Sequence, residues 1–470
     1  MDGLECSEIL KSELEFSGRI DAEYYQKKFL QYQAAIEKHS ILPLSKIADF
    51  LIGPFGSAYD TSTYVEQSDY RYIRGQDVKP FLLQDASPRY MAEDDYDRLS
   101  KYALHANDIL VSVVGTLGNA CIIQEHEVPA IFSCKSTAVK AKDVNPFYLL
   151  SYLNSKYGKS LLCRKERGAI QKGLNLDDLK TLDIPLFSDE LSKNTELLIS
   201  KALDSISCAK KVYYEAEIQL RTILGSVTVS NKNHSIKTLA ESFLKSSRLD
   251  AEYYQPKFDI LFDKLSKLSN KRLGGDDGIA NIKKSIEPGS DSYKDEGIPF
   301  VRVSDVSKYE IISPEIYLSH DVIENVAALF PKKDTILFSK DGSVGIAYKL
   351  ERDEDIITSG ALLHLTVKNT SEVLPDYLTL VLNSLVVQMQ AERDSNGAII
   401  QHWKPSEIEN VIIPILDMDE QKELAEMVQK SFALRRQSKQ LLEYAKQAVE
   451  MAIEQGEDTA LAWLKERAGE

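Results

Sequence analysis

The sequence predicts an α+β protein with two pseudo-twofold-related globular domains separated by an antiparallel coiled coil of two long helices. The prediction rests on an internal repeat and on a heptad pattern that both copies share. Residues 19–26 read RIDAEYYQ and residues 248–255 read RLDAEYYQ, so the copies are offset by 229 residues. Pro146 opens PFYLLSYLNS and Pro375 opens PDYLTLVLNS at the same offset. Since solenoid repeats span roughly 20–50 residues, the repeating unit is a whole domain with its connecting element.

Length and composition indicate a globular protein. The 470 residues are enough for about two to four domains, each with its own core. Hydrophobic residues make up 43% and charged residues 27%, as in typical domains. No apolar run approaches the ~18–20 residues that span a bilayer. The start MDGLECSEILKSELEF lacks the apolar core of a signal peptide. We therefore expect a cytoplasmic protein without a membrane segment.

The cysteines predict neither disulfides nor a metal site. All of them lie in the first copy, and no CxxC pair occurs: Cys6, Cys121, Cys134, Cys163 and Cys208. Because the second copy does without them, we interpret them as buried or free thiols.

The charge balance bears on possible partners. A net charge of −15 and a pI near 5.2 are unusual for a protein that binds nucleic acid by itself, since such proteins carry a basic footprint. Net charge averages over the surface, however, and acidic faces can bind partner proteins. The charge therefore disfavours a lone DNA-binding protein more than it disfavours a subunit of a complex.

Each copy has a lead-in with helical apolar spacing, a mixed body and a long helix. In that order, these parts occupy 19–40, 41–187 and 189–224 in the first copy and 248–270, 271–416 and 418–455 in the second. The bodies alternate short β-rich runs, such as Asp108–Val114 and Thr335–Phe338, with Gly, Pro and Asp turns. Pro146 and Pro375 each predict the first turn of a helix within the body.

The two long helices share one heptad frame. Steps of three and four residues connect small and apolar positions on both, and the two series differ by 229. This period predicts a two-helix coiled coil, each helix about 36 residues and roughly 54 Å long. The larger coiled-coil residues are Leu198, Val212, Ile223, Leu424, Met427, Leu434 and Leu441. In the alternative arrangement, each helix packs on its own domain.

Catalytic motifs are missing from the sequence. There is no GxxxxGK[ST] phosphate loop, no HExxH and no GxSxG. The run Asn145-Pro146-Phe147-Tyr148 resembles the NPPY motif of amino-methyltransferases, but the second copy has Leu374 in place of the asparagine. No glycine-rich turn for S-adenosylmethionine precedes it. A proline-started helix therefore explains this run better, and we expect no catalytic residue, cofactor site or metal site in the chain.

Polar and basic residues gather near glycine-rich turns. The turns are Gly53–Ser57, Gly115–Asn119 and its repeat partner Gly342–Gly345. Arg, Lys, Asn and Gln can read base edges in DNA, while hydroxyls and amides can hold phosphates. The candidate DNA-binding residues are Ser57, Arg71, Arg74, Gln76, Lys79, Thr116, Asn119, Arg164, Lys165, Arg167 and Lys172 in the first copy and Arg302, Ser304, Lys308, Ser343, Arg393, Asn396, Gln401 and Lys404 in the second. Taken singly, each could equally belong to a solvated loop.

The ordered set of motifs resembles the specificity (S) subunit of type I restriction-modification systems. The resemblance rests on the lead-in repeat, the PFGS-like and GTLGN-like turns, the Gly-Ala-Ile…Leu…Ile-Pro ending of each body, and the Asp-Glu start of each long helix. It covers nearly the whole chain. Copy two continues its Asp-Glu start with Gln421, where copy one has Leu191, which sets the two helix starts apart.

The resemblance implies that each body is a target recognition domain for one half of a bipartite site in double-stranded DNA. It also implies that the long helices set the spacer and dock two methyltransferase (M) subunits. Restriction (R) subunits complete such complexes. S-adenosylmethionine, ATP and Mg are then expected on the partner subunits, and the chain itself is not catalytic.

The predicted division has five parts: an N-terminal target recognition domain with its lead-in (1–187), a central spacer helix (188–226), a C-terminal target recognition domain with its lead-in (227–416), a distal spacer helix (417–456) and a C-terminal tail (457–470). A non-catalytic protein-binding scaffold with duplicated domains is the alternative function.

Overall fold

The computed structural model describes residues 6–12, 14, 18–84, 87–168, 172–225, 234–312, 314–319, 326–397 and 400–468. The chain forms two compact units. Unit 1 comprises residues 1–205 and 436–470, and unit 2 comprises residues 206–435. The ends of the five predicted parts at residues 1, 226, 227 and 470 lie outside the described residues. No helix in the described ranges is long and apolar enough to cross a membrane.

The first copy and its long helix contain seven α-helices and nine strands within the described residues. In chain order they are α1 Lys27–Ile36, β1 Ile41–Pro43, α2 Leu44–Ile47, β2 Ala48–Ile52, β3 Arg71–Ile73, β4 Arg89–Tyr90, α3 Glu93–Leu99, β5 Ile109–Ser112, β6 Ala120–Ile122, β7 Ala130–Phe132, β8 Ser136–Ala141, α4 Pro146–Asn154, α5 Lys156–Cys163, α6 Leu176–Lys180, β9 Asp183–Pro185 and α7 Asp189–Leu224. Short 3-10 helices lie at Ala22–Tyr25, Thr61–Thr63, Gly75–Asp77, Ser100–Tyr102 and Glu125–Glu127.

In the part of the chain that the structure describes, the second copy repeats most of this order, lacks a counterpart of α2 and adds α8, β12 and α14. Its elements are α8 Phe243–Ser246, α9 Pro256–Ser266, β10 Asn270–Arg272, β11 Ala280–Lys284, β12 Tyr293–Lys294, β13 Ile298–Val301, β14 Tyr317–Leu318, β15 Ile336–Ser339, β16 Ala347–Lys349, β17 Ile357–Thr358, β18 Leu362–Val367, α10 Pro375–Leu382, α11 Leu385–Asp394, α12 Pro405–Glu409, β19 Ile412–Pro414, α13 Met418–Gln455 and α14 Glu457–Ala468. Here the 3-10 helices are Ser290–Ser292, Val303–Asp305 and Val326–Leu329.

Among the described residues of unit 1, three sheets build the body. The largest has the order β2-β8-β5-β6, and all its pairs are antiparallel. A smaller sheet, β4-β3-β7, contains the parallel pair β3–β7. The two-stranded ladder β1–β9 joins Ile41 to Pro185, so the two ends of the body lie side by side.

Unit 2 has the corresponding sheets. They are β11-β18-β15-β16, β12-β14-β13-β17 with a parallel β13–β17 pair, and the ladder β10–β19. The ladder joins Asn270 to Pro414, which are Ile41 and Pro185 shifted by 229 residues. The sheets therefore confirm that the sequence repeat is a structural repeat.

Proline starts the body helices as predicted, but each predicted helix is divided in two. Pro146 is the first residue of α4, and the Asn145 side chain accepts hydrogen bonds from the first turn. Ser155 then caps α5 by accepting from the Gly158 amide. A Cβ atom at Gly158 would lie 2.1 Å from the Tyr152 carbonyl oxygen. This close approach requires glycine and places α5 directly against the end of α4.

The long helices match their predicted bounds. Helix α7 has 36 residues and ends just before Gly225, and α13 has 38 residues and ends just before Gly456. Both glycines have positive φ, 71° and 94°, which a residue without Cβ adopts at no steric cost. The segment after Gly456, which was expected to be a tail, contains helix α14.

Within each unit, the two long helices meet at small residues. In unit 2, the Ser431 hydroxyl donates to the Ala209 carbonyl at 2.7 Å. In unit 1, the Ser438 hydroxyl donates to the Ala202 carbonyl at 2.8 Å. The Ser188 amide, just before α7, donates to the Glu457 carboxylate, just after α13, at 2.9 Å. Together with the 202–438 bond, this contact shows that the two segments are antiparallel in unit 1. The two serine bonds are also repeat-equivalent, since residues 202 and 209 correspond to 431 and 438.

The predicted apolar stripe of each long helix faces the other long helix. The alternative arrangement, in which each helix packs on a body, is present as well. Leu198, Val212 and Leu424 are buried, while Ile223, Met427, Leu434 and Leu441 are partly buried. Residues one position further along, such as Ile199 and Val449, widen the stripe. They join the helices to the core of the body in the same unit. Each helix therefore packs both on its partner helix and on a body.

The close approach of the helices predicts a specific sensitivity to side-chain size. Ala209 is fully buried opposite Ser431, so Ala209→Leu should overpack the helix pair and lower the free energy of unfolding by about 1–3 kcal/mol. The neighbouring Cys208 is exposed, and Cys208→Leu is the matched control with an expected change within about 0.5 kcal/mol. Urea unfolding followed by circular dichroism measures both. Equal stabilities for the two variants would contradict the small-residue packing.

Candidate nucleic-acid interface

One turn connects the polar loops of unit 1. We call residues 133–135, between β7 and β8, the junction turn of unit 1. The Ser133 amide donates to the Ile73 carbonyl, and the Val113 amide donates to the Lys135 carbonyl, both at 2.9 Å. The turn thus fixes the loop after β3 and the loop after β5 to one another.

Two glycines allow other loops to approach the junction turn. A Cβ atom at Gly53 would lie 2.6 Å from the Ser133 carbonyl group, and one at Gly75 would lie 2.7 Å from the Lys135 Cβ. Both gaps are too short for a side chain. The sequences GPFGS and RGQD therefore contain glycine where their backbones touch the junction turn, which places Ser57 and Gln76 close in sequence to these contacts.

Ser112 stabilises the turn Gly115–Asn119, which follows β5. The Ser112 hydroxyl donates to the Thr116 carbonyl at 2.6 Å, and the Gly118 amide donates to the Ser112 carbonyl at 2.9 Å. Beside this turn, the Leu174 amide donates to the Val113 carbonyl at 2.9 Å. This bond places the loop that follows α5 beside the turn after β5. The two ends of that loop pair with each other at Arg167 and Gly173.

Unit 2 has the same hydrogen bonds around its own junction turn, residues 359–361. The Ser359 amide donates to the Val301 carbonyl, and the Lys340 amide donates to the Ala361 carbonyl, both at 2.9 Å. The Trp403 amide donates to the Lys340 carbonyl at 2.8 Å. Each bond is the repeat equivalent of one in unit 1, so the two units hold their loops on one backbone frame.

The brace and the loop closure of unit 2 are also equivalent. The Ser339 hydroxyl donates to the Ser343 carbonyl at 2.5 Å. Asn396 and His402 exchange backbone hydrogen bonds of 2.9 and 2.7 Å, as Arg167 and Gly173 do in unit 1. Main-chain bonds and the two bracing serines therefore order the loops that carry the candidate residues.

The structure brings ten of the predicted residues to exposed positions on these loops. They are Ser57, Gln76, Thr116, Arg167 and Lys172 in unit 1 and Ser304, Ser343, Asn396, Gln401 and Lys404 in unit 2. Some already have ionic partners: Arg167 contacts Asp178 at 3.0 Å, and Lys172 contacts Glu166. DNA contact by these side chains stays a prediction.

Other predicted residues have internal roles. Asn119 is buried, accepts from the Lys159 ammonium at 2.8 Å and donates to the Val78 carbonyl at 3.3 Å. Lys308 contacts Glu217 of α7 at 2.7 Å and lies 5.0 Å from the ring centre of Tyr213. These side chains join parts of the scaffold and present little polar surface to a ligand.

Three further arginines are also paired within the protein. Arg74 contacts Asp77 at 2.7 Å, and Arg302 contacts Asp305 at 3.3 Å, in repeat-equivalent capping arrangements. Arg71 lies 3.7 Å from Glu127. Lys79 is partly buried. We therefore expect these residues to shape their loops.

The repeated octapeptide, residues 19–26 and 248–255, contacts two more of the predicted DNA-binding residues. Arg164 lies over the Tyr24 ring at 4.1 Å, and its repeat equivalent Arg393 lies over the Tyr253 ring at 4.9 Å. In the same motif, the Tyr25 hydroxyl donates to the Arg19 carbonyl at 3.1 Å. The motif fastens each lead-in to the end of a body helix, so its near-identity between copies reflects structure.

Lys165 is replaced by an acidic residue in the second copy. Burial lowers the pKa of Lys165 to about 8, although Asp178 acts in the opposite direction. Its ammonium donates to the Thr181 carbonyl at 2.9 Å. The equivalent residue in unit 2 is Asp394, which contacts Arg393 at 2.6 Å. A partly buried lysine that bonds to main-chain oxygens stabilises the local fold and is poorly placed to contact DNA.

Sequence reasoning missed the bracing serines and the junction turns. Ser112 and Ser339 precede the two glycine turns at equivalent positions, so alignment of the copies could have found them. The junction turns have dissimilar sequences, Ser-Cys-Lys and Ser-Gly-Ala, and gave no such signal. Gln421 is buried and bonds to the Glu372 and Leu416 carbonyls, so the difference from Leu191 is one of internal packing.

The exposed groups can donate and accept hydrogen bonds, and they suit recognition better than catalysis. Within the described ranges there is no group of three or more His, Cys, Asp or Glu residues that could hold a metal ion. The fold and the site define a class of protein: a duplicated binding protein that presents different polar side chains on two copies of one loop frame.

The family follows from a sequence comparison. Residues 276–444 match the family described as "Type I restriction modification DNA specificity domain". This segment covers most of the second body and its long helix, and the first copy repeats that arrangement. The matched segment therefore carries a type I restriction-modification DNA specificity domain, and this match supports DNA sequence recognition in such a system as the function of the chain. None of the curated proteins matches the chain.

Three solved structures align with most of the chain at low TM-scores. The S subunit of the type I system from M. genitalium is 15% identical with a TM-score of 0.35, and covers 90% of this chain and 95% of its own. HsdS from Thermoanaerobacter tengcongensis is also 15% identical, with a TM-score of 0.28 and coverages of 89% and 97%.

The third structure concerns complex assembly and conformational transition of the type I R-M system. It is 16% identical, with a TM-score of 0.29 and coverages of 89% and 98%. TM-scores this low do not establish a common fold, so the assignment rests on the family match.

Proposed function

We propose that the body of each unit reads one half of a bipartite DNA sequence through the exposed side chains around its junction turn. One observation carries the proposal: the two units share the main-chain hydrogen bonds of these loops but differ in the side chains they expose. A common frame with changed polar groups is what two different half-sites require, because base edges are read by side-chain hydrogen bonds.

The substitutions between copies suggest which bases differ. Arg167 and Lys172 of unit 1 correspond to Asn396 and Gln401 of unit 2. Arginine and lysine pair best with guanine in the major groove, whereas asparagine and glutamine pair best with adenine. In this proposal, the Arg167 and Lys172 ion pairs with Asp178 and Glu166 open on binding.

The long helices support the rest of the complex in this proposal. Each helix contributes residues to both units, so its length can set the spacer between half-sites. Two M subunits would dock on these helices, and R subunits would join them. The chain is then a non-catalytic cytoplasmic subunit, with S-adenosylmethionine, ATP and Mg bound by its partners. The net charge of −15 is compatible with extensive protein contacts.

A protein-binding scaffold is the competing function, and the acidic composition is its main support. The deciding experiment selects from a random duplex library with the full-length chain, purified together with its M subunits, at ~100–150 mM salt. The proposal expects a single bipartite sequence to be enriched. Retention of duplexes without sequence preference, or no retention, would leave the scaffold as the better account.

One prediction of this proposal concerns the bases read by unit 1. We expect the double substitution Arg167→Asn and Lys172→Gln to change preferred guanine to adenine in one half-site only. A bidentate contact discriminates by about 1–3 kcal/mol, so the new preference should be clear in library selection. Lys180→Gln, at a partly exposed lysine of α6 in the same unit, is the matched control. A uniform loss of affinity for all duplexes would show that these residues contact only phosphates.

Another prediction concerns the length of the two long helices and the spacer between the half-sites. Insertion of one heptad after Ala209 and another after Ser438 should lengthen the spacer and leave both half-sites unchanged. Because 202–438 and 209–431 are equivalent antiparallel contacts, the two insertions keep the small residues in register. Seven residues add about 10 Å, which corresponds to about three base pairs. Library selection reads out the spacer, and altered half-sites would refute the proposed spacer role.

A further inference from the structure

An exposed phenylalanine lies among the polar loops of unit 1. Phe55 is 68% exposed and lies in the turn Gly53-Pro54-Phe55-Gly56-Ser57 that follows β2. The Ala58 amide donates to the Phe55 carbonyl at 2.8 Å and closes this turn. Single exposed hydrophobic residues are common on protein surfaces. The support of the Phe55 turn and the residues around it therefore decide whether the ring has a role.

The turn has a fixed base. Gly53 and Pro54 are buried, and Gly53 packs so closely on Ser133 that a Cβ atom there would lie 2.6 Å from its carbonyl group. The ring thus projects from a support that is tied to the junction turn. An apolar side chain held out by a rigid support can enter a partner without a large loss of chain entropy.

A lysine completes the arrangement. Lys135 of the junction turn is exposed, and its ammonium has no hydrogen-bond or ionic partner among the residues that the structure describes. Its backbone lies under Gly75, close to the exposed Gln76. Phe55 and Lys135 therefore belong to the same edge of unit 1 as the proposed base-reading side chains.

Unit 2 has neither residue at the corresponding places. Its junction turn has Ala361 where unit 1 has Lys135. After β11, the chain reads Pro288-Gly289-Ser290, which lacks the aromatic residue of Pro54-Phe55-Gly56-Ser57. Unit 1 therefore has both Phe55 and Lys135, and unit 2 has neither. The pair is a difference between the two bodies that are proposed to read the half-sites.

We propose that Phe55 inserts between bases of the half-site read by unit 1, and that Lys135 binds a nearby backbone phosphate. This inference rests on the proposed function of the body. Apolar side chains such as Phe act as wedges that unstack a base step, and lysine neutralises a phosphate. Unit 2 reads its half-site without a wedge. DNA is favoured over a protein partner because the ring is mounted on the junction turn and not on the long helices.

The test compares Phe55→Ala, Phe55→Trp and Lys135→Ala in the full-length chain with its M subunits. The probe is a duplex with the selected bipartite site and 2-aminopurine at successive positions of either half. We expect wild type to raise fluorescence at one step of the unit 1 half-site. Phe55→Ala should abolish this signal and weaken binding about ten-fold, as for a lost aromatic–base contact. Phe55→Trp should retain the signal.

Lys135→Ala should keep the signal but reduce the dependence of log affinity on log salt by about one phosphate contact. Ile312→Ala, an exposed aliphatic position in unit 2, is the control and should change neither readout at the unit 1 half-site. Unchanged fluorescence and affinity in Phe55→Ala would overturn the inference. The inference would also be overturned if Phe55→Ala lost M-subunit binding while its affinity for DNA stayed intact. If wild type itself selects no sequence, the proposed function fails first.

Discussion

Each unit depends on the main-chain hydrogen bonds of its junction turn. These bonds tie the loops after the central strands to one edge of the body, and glycines at Gly53 and Gly75 make the approach possible in unit 1. Since main-chain bonds are independent of side-chain identity, the loops can change their exposed residues without losing their shape. This constraint explains how one fold can present two different sets of exposed side chains in a single chain.

The scaffold could be predicted from the sequence because its signals are local. Helix ends followed from Gly225 and Gly456, and body helices followed from Pro146 and Pro375. The heptad frame was confirmed, although the helices also pack on the bodies. Local patterns did not show that Ser155 would divide the first body helix, or that residues 457–468 would form α14.

The site was predicted less completely because exposure depends on distant contacts. Lys308 is engaged by Glu217, 91 residues earlier in the chain, and Arg164 by Tyr24. Nothing near these residues in the sequence distinguishes them from the exposed Gln401 or Lys172. The octapeptide repeat also shows that similarity between the copies marks structural contacts. Difference alone does not mark a ligand surface, because Lys165 and its equivalent Asp394 differ and both have internal partners.

The central claim is that the body of each unit carries its own sequence preference. The ladders β1–β9 and β10–β19 close the bodies at equivalent places, so residues 41–187 can be replaced by a second copy of residues 270–416. Selection from a random duplex library with this chain and its M subunits is the direct measurement. The account predicts two copies of the unit 2 half-site in the enriched sequence. Recovery of the original bipartite sequence by a folded chain would contradict it.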